Sequence, residues 1–168
     1  MHMSKIIGVV ALAVITTVLG YMTYGNEITR ALTGTFSGAV GNQFEDDKEA
    51  CLNGTLYSPT YGEGVPTEDI DHETMITVCQ RALSAKDAQY LDIKFGLARA
   101  LIQAEKYASA FEILEELAKA DHPFGTALYA QQFYFGRGTD ISLLNFCEFS
   151  KKALELGAFN AASSLSYC

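Results

Sequence analysis

The chain has 168 residues and a formal net charge of −8, from 20 acidic and 12 basic side chains. This length leaves room for one small domain and an appendage. The acidic excess argues against a nucleic-acid partner, because phosphates require a basic face. It indicates a solvated acidic surface and does not identify a function.

An uncharged apolar run follows Lys5 and extends over residues 6–24. At about 1.5 Å per residue it would span roughly 28 Å, close to the hydrocarbon thickness of a bilayer. We therefore predict that residues 1–25 form a single transmembrane anchor that contacts lipid through residues 6–24. A cleaved signal peptide is the alternative, although Thr23 and Gly25 would make a poor cleavage site.

The charges that flank this run predict its orientation. Lys5 and the terminal amino group favour a cytoplasmic N-terminus, although Arg30 weakens that bias. The remainder of the chain would then lie in the periplasm or an equivalent oxidising lumen. Within the run, Ala13 and Thr17 are small residues four apart, as are Thr16 and Gly20, and such spacing allows close helix packing. Ala13, Thr17 and Gly20 are therefore candidate contacts with other membrane helices. Membrane helices are also rich in small residues without any such contact.

Residues 26–44 form a glycine-containing segment after the anchor. Ile28, Leu32, Phe36 and Val40 recur every four residues, which is typical of a helical stripe. Gly34 and Gly38 interrupt that stripe and weaken a helix. The segment is predicted as either an interfacial helix or a flexible linker.

Residues 124–167 read as a helix, a glycine turn, a second helix, another glycine and the start of a third helix. Tyr129, Phe133 and Phe149 lie where a helix pair needs large apolar residues. Gly136 and Gly138 flank Arg137, which suits a tight turn, and Gly157 closes the second helix. Neither helix could bury its wide apolar face alone.

This stretch resembles the Sel-one-like repeat, a relative of the tetratricopeptide repeat. The matching positions are Phe133, Gly136, Gly138, Phe149, Lys152, Ala153 and Gly157. The departures are Tyr129 and Ala130 for a leucine-glycine pair, Thr139 for a valine and Leu154 for a second alanine.

Two further units match this pattern more weakly. One includes the turn at residues 62–66, and the other includes Tyr107 and Ala110, with Glu105 in place of the usual turn glycine. Ala82, Ala118 and Ala153 are separated by 36 and 35 residues, a period typical of helical repeats. The resemblance implies that residues 45–168 form an all-α domain of antiparallel helix-pair repeats, a short α-solenoid of about three units.

The four cysteines lack metal-site spacing, since none lies in a C-x-x-C pair and the histidines do not cluster with them. Downstream of a membrane segment, an even number indicates disulfides. In the repeat register that the resemblance implies, the preferred pairs are Cys51 with Cys79 and Cys147 with Cys168. The other two pairings of four cysteines remain open.

No catalytic pattern is recognisable in the chain. The acidic run at residues 68–73 is typical of a solvated helix start, and the glycines near residue 137 lack the lysine of a phosphate loop. We therefore predict no enzymatic activity, cofactor, metal or small-molecule substrate. Tyr134 and Phe135 cannot both face inward with Phe133, so they are candidate partner contacts.

The resemblance implies protein–protein interaction, because stacked helix pairs form recognition surfaces without chemistry. The first hypothesis is an accessory or structural subunit, or an assembly scaffold, of a larger membrane protein complex. The second is a free-standing, membrane-tethered periplasmic protein that recruits soluble partners.

Overall fold

The computed structural model describes residues 43–58, 63–84 and 89–168. Phe44–Cys168 form one compact unit. The elements are α1 (residues 43–55), β1 (Tyr57–Ser58), β2 (Glu63–Gly64), a 3₁₀ turn (Thr67–Asp69), α2 (His72–Ala82), α3 (Tyr90–Gln103), α4 (Tyr107–Lys119), α5 (Pro123–Phe135), α6 (Leu143–Glu155) and a final 3₁₀ helix (Phe159–Tyr167). The domain is therefore helical, as predicted, apart from the small antiparallel hairpin of β1 and β2.

The predicted membrane anchor, residues 6–24, lies outside the described residues, as does the predicted linker except for its last two residues. Those two residues, Gln43 and Phe44, are helical and belong to α1. In residues 43–58, 63–84 and 89–168, no helix is long and apolar enough to cross a bilayer.

Helices α3 to α6 end in the same way. One residue just past each helix has a positive φ, and the next amide donates to the carbonyl five residues before it, which is the Schellman arrangement. The left-handed residues are Glu105, Asp121, Gly136 and Gly157. Glu105 therefore adopts the conformation that a turn glycine would supply, at φ 57°.

Each helix from α2 to α6 packs most extensively on its neighbours in sequence. Ala82, Ala118 and Ala153 lie near the ends of α2, α4 and α6, and all three are almost completely buried. Small residues at these points let neighbouring elements approach closely. The three alanines, 36 and 35 residues apart in the sequence, thus share their burial near a helix end.

Lys152 joins α6 to the end of α4. Its ammonium donates to the carbonyl of Ala118 at 2.8 Å and lies 2.6 Å from a carboxylate oxygen of Asp121. A cation suits this place because the last carbonyls of a helix are unpaired and carry partial negative charge. The lysine of the repeat-like pattern therefore has a structural role here.

The end of the chain differs from the sequence prediction. Residues Phe159–Tyr167 form a 3₁₀ helix and not the start of a third α-helix. The hydroxyl of Ser163 donates to the carbonyl of Asn160 at 3.1 Å, and that of Ser166 donates to the carbonyl of Ser163 at 2.8 Å. Such local side-chain bonds compete with the bonds of an α-helix.

Candidate interaction surface

A groove runs along one face of α5. The α5 side chains that line it are Phe124, Ala127, Leu128, Gln131, Tyr134 and Phe135. Their spacing of three and four residues places them on one side of the helix. We call this surface the α5 groove.

The α5 groove consists of two pockets that share Gln131. The first has a volume of about 160 Å³, and Phe95 and Arg99 of α3 line it together with Asn160. The second has a volume of about 240 Å³ and lies between the end of α5 and the side chains of Phe146 and Tyr167. The walls thus come from α3, α6 and the final 3₁₀ helix.

Arg99 forms part of the wall of the first pocket. It is buried and donates to the backbone carbonyls of Thr55 and Val65 and to the hydroxyl of Thr67. The guanidinium therefore ties the end of α1 and the segment that follows it to α3, and Thr67 lies at the edge of the groove. Several hydrogen bonds of this kind are needed to hold a buried guanidinium.

His122 fixes the start of α5. Its Nδ1 accepts a hydrogen bond from the amide of Gly125 at 2.9 Å, which caps the helix, and Pro123 occupies the first helical position. Its Nε2 lies 3.3 Å from a carboxylate oxygen of Asp92 on α3. The ring also packs on Phe95 at 5.3 Å, so the groove begins at a well-fixed helix end.

The two aromatic residues predicted to contact a partner lie on the surface. Tyr134 is 39% exposed and Phe135 is 53% exposed, whereas Phe133 is buried. The Tyr134 ring also contacts Phe146 at 5.0 Å and Tyr167 at 5.6 Å, so it is held in place from two sides. Their exposure is confirmed, and their role in binding stays a prediction. The other candidates, Ala13, Thr17 and Gly20, lie outside the described residues.

A cation lies at the far end of the α5 groove. The guanidinium of Arg137 is 4.8 Å from the ring centre of Phe135 and 5.1 Å from that of Tyr107. Both distances are within the range of cation–π attraction. Arg137 thus links the turn after α5 to the first residue of α4.

The cysteines form the two pairs that the repeat register predicts. The sulfur atoms of Cys51 and Cys79 are 2.00 Å apart, and those of Cys147 and Cys168 are 2.17 Å apart. The first pair joins α1 to α2 and is fully buried. The second joins α6 to the end of the chain next to the groove, and Cys168 is exposed. Both pairs fit an oxidising environment.

Two residues with a shifted pKa, Tyr129 and Lys94, do not line the groove. Burial, together with nearby Glu115, raises the pKa of Tyr129. Burial lowers the pKa of Lys94, but its hydrogen bonds to Glu116 and Tyr90 outweigh that effect and the net shift is upward. In the described part of the chain, no group of three or more His, Cys, Asp or Glu side chains is placed to hold a metal ion.

No family model, curated protein or solved structure matches the chain. The surface must therefore be interpreted from its own residues.

Sequence reasoning found Tyr134 and Phe135 but missed the rest of the groove. The spacing of Phe124, Leu128, Gln131 and Phe135 was visible, but apolar residues surround α5 on nearly all sides. Without a distinct polar face, the sequence does not separate core positions from groove positions. The walls come from α3, α6 and the final 3₁₀ helix, which only the tertiary fold brings together.

Proposed function

We propose that this protein is a non-enzymatic interaction module, namely an accessory or structural subunit of a larger membrane protein complex. The α5 groove carries this proposal. Most of its lining residues are aromatic or aliphatic, and the polar ones are Thr67, Arg99, Gln131, Asn160 and Ser164. Protein interfaces favour aromatic residues and arginine at their centres, so this composition suits a protein partner.

We further propose that the domain is a short α-solenoid related to the Sel-one-like and tetratricopeptide repeats. Its units would be the antiparallel pairs α1–α2, α3–α4 and α5–α6. Three observations support this: consecutive helices pack on each other, buried alanines recur at 36 and 35 residues, and four helices end in the same motif. Stacked pairs of this kind form extended binding surfaces.

The proposed location is a membrane with an oxidising compartment on one side. Residues 6–24 would anchor the chain with a cytoplasmic N-terminus, and the domain would lie in the periplasm or an equivalent lumen. The apolar run and the two disulfides support this arrangement. The partners would be integral membrane subunits beside the anchor.

The test is cross-linking mass spectrometry on the native membrane fraction, solubilised in mild detergent. We expect cross-links from both the linker and the domain to one integral membrane assembly, and co-purification with it. Gln131→Lys places a charge in the middle of the groove and should reduce recovery of that assembly. Gln80→Lys makes the same change on the exposed surface of α2 and should not. Recovery of a free monomer would contradict the proposal.

The second candidate is a membrane-tethered binding protein that recruits soluble partners. The two adjoining pockets favour it, because they could accept successive side chains of one peptide segment. In that case the anchor serves only as a tether. Replacing residues 6–24 with an unrelated membrane helix should then leave function intact, and cross-links should reach soluble proteins from the domain alone.

A further inference from the structure

The final 3₁₀ helix is held differently at its two ends. Ala158 and Ala161, at its start, are almost completely buried and pack with Ala127 of α5 and Ala153 of α6. None of residues 162–168, which complete the helix and end the chain, is buried. We call residues 162–168 the C-terminal strap. The strap therefore lacks the apolar burial that fixes the start of the helix.

The C-terminal strap has few specific links to the rest of the domain. Its side-chain hydrogen bonds, such as that from the hydroxyl of Ser166, stay within the final 3₁₀ helix. Within the described part of the chain, no hydrogen bond joins the strap to α5 or α6. A disulfide joins Cys168 to Cys147 of α6 instead. In addition, the ring of Tyr167 lies 5.6 Å from that of Tyr134 on α5, measured between ring centres.

The C-terminal strap forms one wall of the second pocket of the α5 groove. Ser164 and Tyr167 line that pocket together with side chains of α5 and α6. The first pocket also has a wall from the final 3₁₀ helix, but it comes from Asn160, which precedes the strap. Asn160 lies between the buried residues Ala158 and Ala161. The two pockets therefore depend on different parts of this helix, the first on a buried part and the second on the part that the disulfide holds.

We propose that the Cys147–Cys168 disulfide is a redox-sensitive switch of the α5 groove. Its reduction releases the C-terminal strap, removes the Tyr167 wall from the second pocket and leaves the first pocket intact. Without the disulfide, the contact between two partly exposed tyrosine rings does not offset the conformational entropy that the strap gains on release. This inference goes beyond the proposed function, because it concerns the shape of the groove and requires no partner.

The reductant that the switch requires is a dithiol. One of its thiolates attacks the exposed sulfur of Cys168, the sulfur–sulfur bond breaks, and Cys147 leaves as a thiolate that takes up a proton. The second thiolate of the reductant then attacks its partner sulfur in the mixed disulfide, and Cys168 leaves and is protonated. The reductant ends as a disulfide, and its two electrons and two protons are on the cysteines. The buried Cys51–Cys79 pair is inaccessible to the same attack, so the core stays linked.

The test is photochemical tyrosine cross-linking of the full chain in mild detergent, which joins only rings that lie side by side. In the oxidised chain we expect an intramolecular link between Tyr134 and Tyr167, identified by peptide mapping and absent from Tyr167→Phe. Reduction with dithiothreitol and alkylation of Cys147 and Cys168 should lower its yield by about tenfold or more, because the released strap samples many other positions. An undiminished yield, or no link in the oxidised chain, would overturn the proposal.

A double variant, Cys147→Ser with Cys168→Ser, tests the switch without a reductant. We expect the same loss of the tyrosine link. Amide hydrogen exchange should show that Ala158 keeps its protection in both proteins, because its amide donates to the carbonyl of Ala153 at 2.9 Å. Exchange that became fast at Ala158 would mean that the first pocket is lost as well, and it would overturn the proposal. If the double variant does not fold, the reduced and alkylated wild-type chain decides by the same two measurements.

Discussion

The carbonyl oxygen of Tyr107 lies 2.5 Å from the point that a Cβ atom would occupy on Gly138. The turn after α5 therefore packs directly on the backbone at the start of α4. The backbone of Gly138 also has φ +74°, a value that residues other than glycine rarely adopt. The second glycine of the G-x-G pattern is thus required for two separate reasons, conformation and close approach.

We expect Gly138→Ala to lower the free energy of unfolding by about 3 kcal/mol, from backbone strain plus displacement of α4. Gly157→Ala is the matched control. Gly157 has φ +99°, but a Cβ there would meet nothing within 4 Å. It should lose only about 1 kcal/mol, from the conformational effect alone. Urea unfolding measures both, and equal losses would show that the contact with Tyr107 is unimportant.

Glu105 pays a conformational cost that glycine would avoid. It has φ 57° just past the end of α3, in the left-handed region. Glu105→Gly should therefore raise the free energy of unfolding by about 0.5–1 kcal/mol. The control Glu112→Gly lies within α4 and should lower it by about 1 kcal/mol. A loss of stability in both variants would mean that the side chain of Glu105 makes a contribution larger than its strain.

The two disulfides should differ in accessibility. Cys51 and Cys79 are fully buried, whereas Cys168 is exposed at the end of the chain. Thiolate attack requires access to sulfur, so we expect dithiothreitol to reduce Cys147–Cys168 first, without unfolding. Timed alkylation and peptide mapping follow the reaction. Simultaneous reduction of both pairs under native conditions would contradict the burial of the first pair.

Asp71 should make stability depend on pH. Hydrogen bonds from the Thr74 side chain and backbone hold the pKa of Asp71 below its ordinary value. A carboxylate with a lowered folded pKa stabilises the fold above its unfolded pKa, which is about 4, and loses that effect as the pH falls through the folded value. The stability difference between wild type and Asp71→Ala should therefore be largest near pH 7 and shrink in acid.

Asp71→Asn is the control for this titration. An amide oxygen can still accept from Thr74 at the start of α2 but does not titrate in this range. Thermal unfolding from pH 7 to pH 2.5 compares the three proteins. If the Asp71→Ala deficit were the same at every pH, the charge of Asp71 would have no part in stabilising the helix.

The side-chain amide of Gln132 is buried, and only one of its two polar atoms forms a hydrogen bond within the described residues. Its nitrogen donates to the carbonyl of Leu128 at 2.9 Å, while its oxygen has no hydrogen-bond partner among the described residues. Gln132→Met keeps the length and removes both polar groups, so stability should be unchanged or should rise by up to about 1 kcal/mol. Gln132→Ala should lose about 2 kcal/mol through a cavity. A large loss in Gln132→Met would reveal a partner for the oxygen.

The sequence by itself determined the helical class of the domain and the glycine turn after α5. It led to a preferred pairing of the cysteines through the repeat register, and the structure decided between that pairing and the two that remained open. These predictions rest on local or periodic signals, such as the glycines around Arg137 and the alanines at 82, 118 and 153. A close approach between two segments, such as that of Gly138 to the Tyr107 carbonyl, restricts the residue type at one position, so it leaves a trace in the sequence.

Only the tertiary structure decided where the surfaces lie. The α5 groove needs Gln131 to lie beside Phe95 in one pocket and beside Tyr167 in the other, although the three residues come from separate elements. The left-handed conformation of Glu105 and Asp121 could not be predicted from the sequence either, because neither residue is a glycine. The final 3₁₀ helix differs from the predicted α-helix because its serines bond to the backbone. Such outcomes depend on which distant elements pack together, and hydrophobic periodicity along one helix does not encode that choice.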